Sequence, residues 1–184
     1  MRYSIFSILL FNLLTCLTQV QARDADWSWQ TDGRVIAMSD IHGAKTAFLS
    51  LVRGLALVDE QDHWSGGEDH LVIVGDILDR GEESRDVLEM VMRLETEAKN
   101  AGGRVHMLLG NHEIMNLVGD LRYVAVGEFG RYVELEDDKV RELALVEYIR
   151  LREGREFDRE ALKTGFNQSH PPGFFAHQAL FSSN

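Results

Sequence analysis

Arg34-Val35-Ile36-Ala37-Met38-Ser39-Asp40 decides the fold: a short apolar run rich in β-branched residues stops at two small polar ones, the pattern of a strand buried on both faces. Downstream, Ala47, Phe48, Leu51, Val52 and Leu55 recur at helical spacing, which Gly54 weakens without breaking. Leu71-Val72-Ile73-Val74 is a second strand. Asp86 to Asn100 repeats the helical pattern with Val87, Met90, Val91 and Leu94, and Gly102-Gly103 stops it. Arg104 to Leu109 supplies a third strand. This βαβαβ alternation makes the fold class α/β. Its parallel sheet puts every strand C-terminus on one edge, where open sheets collect their ligand chemistry.

The flanks and the composition narrow the function. With 45% hydrophobic and 27% charged residues among 184, the chain suits one packed domain rather than a disordered segment. Two prolines and one cysteine exclude a proline-rich linker and a disulfide-stapled miniprotein. Lys and Arg number 19 against 30 Asp and Glu, a net charge of -11 with no basic run, which excludes binding to a nucleic-acid backbone by charge. Arg2 followed by the uncharged run Ile5 to Leu17 reads as a signal peptide over residues 1–22, with Val20 and Ala22 before the cleavage site and the mature chain starting at Arg23. The run is too short to span a bilayer, so no stable membrane span is expected after cleavage. Export to a periplasmic or secreted location is the expectation. Lipid anchoring through Leu13-Leu14-Thr15-Cys16 ranks behind it, because Thr15 is large for a lipoprotein box.

The shared strand edge carries the unusual residues. Strand one ends in Asp40-Ile41-His42-Gly43, strand two in Gly75-Asp76-Ile77-Leu78-Asp79-Arg80-Gly81, and strand three in Gly110-Asn111-His112-Glu113. Each alone has an ordinary explanation: Asp40 as a helix N-cap, His42 as a polar loop residue, Gly75-Asp76 as a turn, Asp79-Arg80 as a surface ion pair, Asn111 as a turn residue. Together, at the ends of three successive strands, they put oxygen and imidazole donors beside glycines that let the backbone turn sharply. A metal site assembled from loops needs that combination.

Asp-x-His, Gly-Asp-x-x-Asp-Arg-Gly and Gly-Asn-His-Glu, in this order and extended by Ile114-Met115-Asn116-Leu117, resemble the calcineurin-like metallophosphoesterases of phosphoprotein-phosphatase type, in their Shewanella-like bacterial branch. The resemblance is tight from Val35 to Leu117 and loose over His170 to Phe175. It implies two divalent metal ions, Mn, Fe or Zn. Asp40 and His42 would hold the first, Asp76 would bridge both, and Asn111 would hold the second. It implies His112 as the acid that protonates the leaving oxygen, Asp79 as the partner of its other ring nitrogen, and Arg80 with Asn111 on the phosphoryl group. An imidazole suits proton transfer near neutral pH, and a guanidinium fork suits two phosphoryl oxygens. Glu113 is expected to support the site rather than to react. The implied activity is metal-dependent phosphoester hydrolysis on phosphorylated protein residues, with dinucleoside polyphosphates or small phosphomonoesters as competing substrates.

The other histidines are assigned elsewhere. His63 and His70 are expected to face solvent, His106 to be a satisfied sheet residue, and His170 and His177 to lack the context of a ligand. After Asn111 the pattern turns to helix, notably Lys139 to Arg152, and no further strands follow. The resembling fold is a two-sheet sandwich flanked by helices, whose second sheet carries further histidine ligands and another arginine. Residues 23–184 are therefore expected to be a phosphoesterase domain incomplete at its C-terminus, with the βαβαβ half present and the second sheet missing. The competing expectation is a non-catalytic remnant that works as a binding protein.

Overall fold

The computed structural model describes residues 28–152 and 158–181, and the unit built on its sheet begins at Thr31. The expected signal peptide, residues 1–22, lies outside the described residues. Strands β1 (Val35–Met38), β2 (His70–Ile73) and β3 (Arg104–Met107) are parallel in the order β1-β2-β3. Helices α1 (Lys45–Gly54) and α2 (Ser84–Asn100) are the crossovers.

Strand order and handedness together fix where the core lies. Two successive right-handed crossovers that advance in one direction across a sheet must lie on the same face. The register bears this out. Ile36, Leu71 and Val105 stand side by side, as do Met38, Ile73 and Met107, and both rows pack on Phe48 and Val52 of α1 and on Val87, Met90, Val91, Leu94 and Ala98 of α2. The intervening row leaves Val35 65% exposed. The expectation that β1 is buried on both faces is thus corrected: among the described residues helices cover one face, and β1 alternates between exposed and half-buried.

Three smaller expectations change. The ladder stops at Ile73 and Met107, so Val74, Leu108 and Leu109 lie beyond the strands and are exposed. His70 does not face solvent. It is the first residue of β2, buried, with its Nδ1 3.2 Å from His106 Nε2. His106 is the sheet residue expected, and burial, with His70 second, lowers its pKa. Helix α2 starts at Ser84, two residues early, because the buried Glu128 carboxylate accepts the Ser84 and Arg85 backbone N–H groups, each at 2.9 Å. Those donors have no partner within a helix, and a carboxylate also suits the positive end of the helix dipole. Burial pushes the Glu128 carboxyl up, and the two N–H bonds oppose that shift.

After β3 the described residues are helical: α3 (Asn111–Leu117), α4 (Val126–Phe129), a 3-10 turn (Gly130–Leu135), α5 (Asp138–Arg150), α6 (Arg159–Ser169) and α7 (Phe174–Phe181). The one sheet among them has three strands, so the expected half of the fold is present and no second sheet occurs within the described residues. His177 is 2% exposed and packs its ring on Phe129, Tyr132 and Phe181. Burial pushes this imidazole down to about 4, so it is neutral at physiological pH. His170 stacks on Phe166 and Phe175. Both histidines pack in an aromatic cluster.

Candidate metal centre and active site

Among the described residues, five of the seven non-glycine residues with positive φ are Asp40, His42, Asp76, Asp79 and Arg80, all of them on the loops after β1 and β2. Left-handed backbone at a residue with a Cβ costs about 1–3 kcal/mol and persists only where its surroundings hold it. Glu113 provides much of that hold. Its carboxylate accepts the backbone N–H of Asp76 at 2.7 Å, Ile77 at 2.8 Å and Leu78 at 3.1 Å, and of Gly110 at 2.8 Å. One buried side chain on α3 thereby clamps the β2 loop to the β3 loop, the supporting part expected of it. The β1 loop joins through His42 N–H to Asp76 O, 2.9 Å, and Gly43 N–H to Ile77 O, 2.8 Å. A Cβ on Gly110 would overlap the Asp76 carboxylate, and one on Gly75 would overlap the Gly110 backbone. Glycine is required wherever loops approach so closely.

These loops bring Asp40, His42 and Asp76 together, with one ligand atom from each lying within 4.8 Å of the others. His42 Nδ1 is 2.9 Å from the Leu78 carbonyl oxygen. A carbonyl only accepts, so Nδ1 carries a proton, and in the neutral ring Nε2 presents a lone pair. That Nε2 is buried, has no hydrogen-bond partner, and lies 3.5 Å from Asp40 Oδ1. A lone pair facing carboxylates with no donor between them is unfavourable by itself and suits a cation. The Ser39 hydroxyl, which donates to Asp40 Oδ2 at 2.7 Å, holds the Asp40 carboxyl below its ordinary range. Asn111 is exposed at the first position of α3, between Gly110, which abuts Asp76, and His112, whose N–H donates to Asp76 Oδ1 at 3.1 Å. The donors are mixed oxygen and imidazole, with a carboxylate central among the loops. They fit a divalent transition ion such as manganese, iron or zinc.

The second group adjoins the first, with the His42 and His112 rings edge to face at 4.6 Å. His112 Nδ1 is 2.7 Å from Asp79 Oδ2, and both side chains are buried. Asp79 Oδ1 in turn accepts Asn116 Nδ2 at 2.8 Å, and the same amide donates to the His112 carbonyl at 2.9 Å. Sequence reasoning gave Asn116 no place here. Its signal was the spacing of four residues from His112, which puts both on one face of α3. Arg80 Nη2 is 3.2 Å from His112 Nε2, so the guanidinium and the outer ring nitrogen lie side by side. A phosphoryl group held by Arg80 there would present its leaving oxygen to a nitrogen able to exchange a proton.

The profile of the calcineurin-like phosphoesterase family matches residues 33–176. Among curated proteins, Shewanella-like protein phosphatase 2 of Arabidopsis thaliana is 43% identical over 91 residues, covering 50% of this chain and 23% of that protein. Shewanella-like protein phosphatase 1 of Plasmodium berghei is 37% identical over 93 residues, covering 50% and 26%. Among solved structures, the cold-active protein-tyrosine phosphatase of a psychrophilic Shewanella species is 45% identical with a TM-score of 0.50, covering 50% of this chain and 28% of that one. The matches span about a quarter of each relative's length.

Proposed function

Because the chain belongs to the calcineurin-like phosphoesterase family, we propose that it carries the metal-binding and proton-transfer half of a phosphomonoesterase acting on phosphorylated protein residues. One observation carries this reading: the buried, partnerless Nε2 of His42 in a group with Asp40 and Asp76, beside the Asp79–His112 pair. Asp40, His42, Asp76 and Asn111 are the residues to hold two divalent ions. Bound there, the ions would supply Lewis acidity toward a phosphoryl oxygen and an activated water. The chain's own residues do the rest. Arg80 orients the phosphoryl group through two guanidinium N–H donors. His112 exchanges the leaving group's proton at Nε2, while Asp79, 2.7 Å from Nδ1, fixes the ring. Asn116 keeps the Asp79 carboxylate in place.

Relatives named as protein phosphatases support phosphoprotein substrates, and small phosphomonoesters or dinucleoside polyphosphates are the alternatives. Export through residues 1–22 belongs to the same proposal. A second reading, a non-catalytic binding protein, is favoured by the exposure of Val35 at the edge of the sheet. Hydrolysis separates the two. With added Mn²⁺, 4-nitrophenyl phosphate and phosphopeptides are expected to be turned over, and a chelator is expected to abolish turnover. A folded protein without metal-dependent hydrolysis would favour the binding reading.

A further inference from the structure

Two histidines away from the strand-end loops form a pair that the chemistry above does not use. His70 opens β2, and His106 stands on β3 two residues beyond Arg104, the register partner of His70. Both belong to the sheet face opposite α1 and α2, because Leu71 and Val105, which alternate with them, pack on the helices. His70 Nδ1 lies 3.2 Å from His106 Nε2, and the ring centroids are 5.1 Å apart at 48°. His70 is 6% exposed, and His106 is half-buried.

Two imidazole nitrogens in contact have one requirement: one must donate its N–H while the other keeps a lone pair. The pair meets it when both rings are neutral or when one of them is charged. A second charge leaves two donors facing each other and two cations in one contact, where burial already opposes charge. We propose that His70 and His106 form an acid-sensitive fastening between β2 and β3, which holds while at most one ring is protonated to the cation and opens when both are. The surrounding groups set the direction. Burial, then His70 and Arg104, hold the His106 imidazole below its ordinary range, against the pull of Glu95 on α2. Beside His70 the Asp69 carboxylate is engaged by Arg34, through its backbone N–H at 2.7 Å and its Nε at 2.9 Å, and the register partner on β1 is the uncharged Val35. A depressed imidazole contributes stability that is complete above the unfolded-state value of about 6.5 and is lost as pH falls from there through the folded-state value. β2 and β3 lead into the loops that carry Asp76 and Asn111, so the fastening joins the strands beneath that site without taking part in it.

Urea unfolding of the full chain at pH 6 and pH 5 tests this in the wild type, His106→Gln and His70→Gln. Glutamine offers both a donor and an acceptor, so each variant can keep one contact without a second titrating ring. Carboxylates and the remaining histidines, His177 among them, are common to all three proteins, and the difference between proteins reads the pair. From pH 6 to pH 5 the unfolding equilibrium constant of the wild type is expected to rise about three- to tenfold more than that of either variant, the effect of one proton taken by the unfolded chain and refused by the folded one. A wild type no steeper than His106→Gln overturns the proposal. So does a His70→Gln variant as steep as the wild type, which would assign the effect to burial of His106 alone. Should neither variant fold, nitrogen-15 NMR of the histidine rings in the folded wild type at pH 5 decides: one ring of the pair keeping a lone-pair nitrogen supports the fastening, and both rings fully protonated overturns it.

Discussion

On the proposed reading, His112→Asn is expected to lower kcat for phosphoserine peptides by about 10²–10⁴-fold, the usual contribution of a positioned general acid, with little change in KM. Asparagine keeps a polar group on α3 but cannot carry the proton from Nε2 to the leaving alkoxide. The Asp79 carboxylate, 2.7 Å from Nδ1 and buried, loses the imidazole nitrogen that it pairs with. The dependence on leaving group makes the prediction specific. A serine oxygen needs protonation as it departs, whereas 4-nitrophenolate leaves without it, so 4-nitrophenyl phosphate turnover should fall far less. An equal loss for both substrates would place His112 in binding or folding and remove it from the proton-transfer step.

The second large effect is on stability. Glu113→Ala leaves four backbone N–H groups of Asp76, Ile77, Leu78 and Gly110 without their acceptor, two of them in fully buried bonds. A buried donor stripped of its partner costs about 1–3 kcal/mol, and water can reach some of these sites after the truncation, so a total of about 3–5 kcal/mol is expected. Urea unfolding followed by circular dichroism measures it. Glu113→Gln retains one acceptor oxygen and should fall between wild type and Glu113→Ala, which keeps the series informative if the alanine variant does not fold. A loss below about 1 kcal/mol in Glu113→Ala would mean that the positive-φ loops are held by other contacts.

Much of the fold was legible because it is written locally. Alternating apolar runs mark β1, β2 and β3, and period 3.6 stripes mark α1 and α2, so the sheet and its site-bearing edge follow from patterns a few residues long. The gathering of Asp40, His42 and Asp76 then follows from topology, since parallel strands end on one edge. What escaped is set by partners distant in sequence. Glu128 lengthens α2 from 43 and 44 residues away, and nothing near Ser84 announces it. Asn116 reads as an ordinary polar helix residue until the Asp79 carboxylate is seen beside it. His70 is buried because the β2 ladder begins one residue earlier than its apolar run, and the ring of His106, two residues beyond its register partner Arg104, reaches its own. The exposure of β1 on one side depends on which face both crossovers take, which a strand's own composition does not encode.

Titration with Mn²⁺, read by calorimetry and by the loss of the free-ion electron paramagnetic resonance signal, tests the cradle at the strand ends most directly. Wild type is predicted to bind the ion, and Asp76→Asn and His42→Ala are each predicted to weaken binding at least tenfold, by about 1.4 kcal/mol or more. Equal affinity in wild type and both variants, with all three folded, would contradict the account.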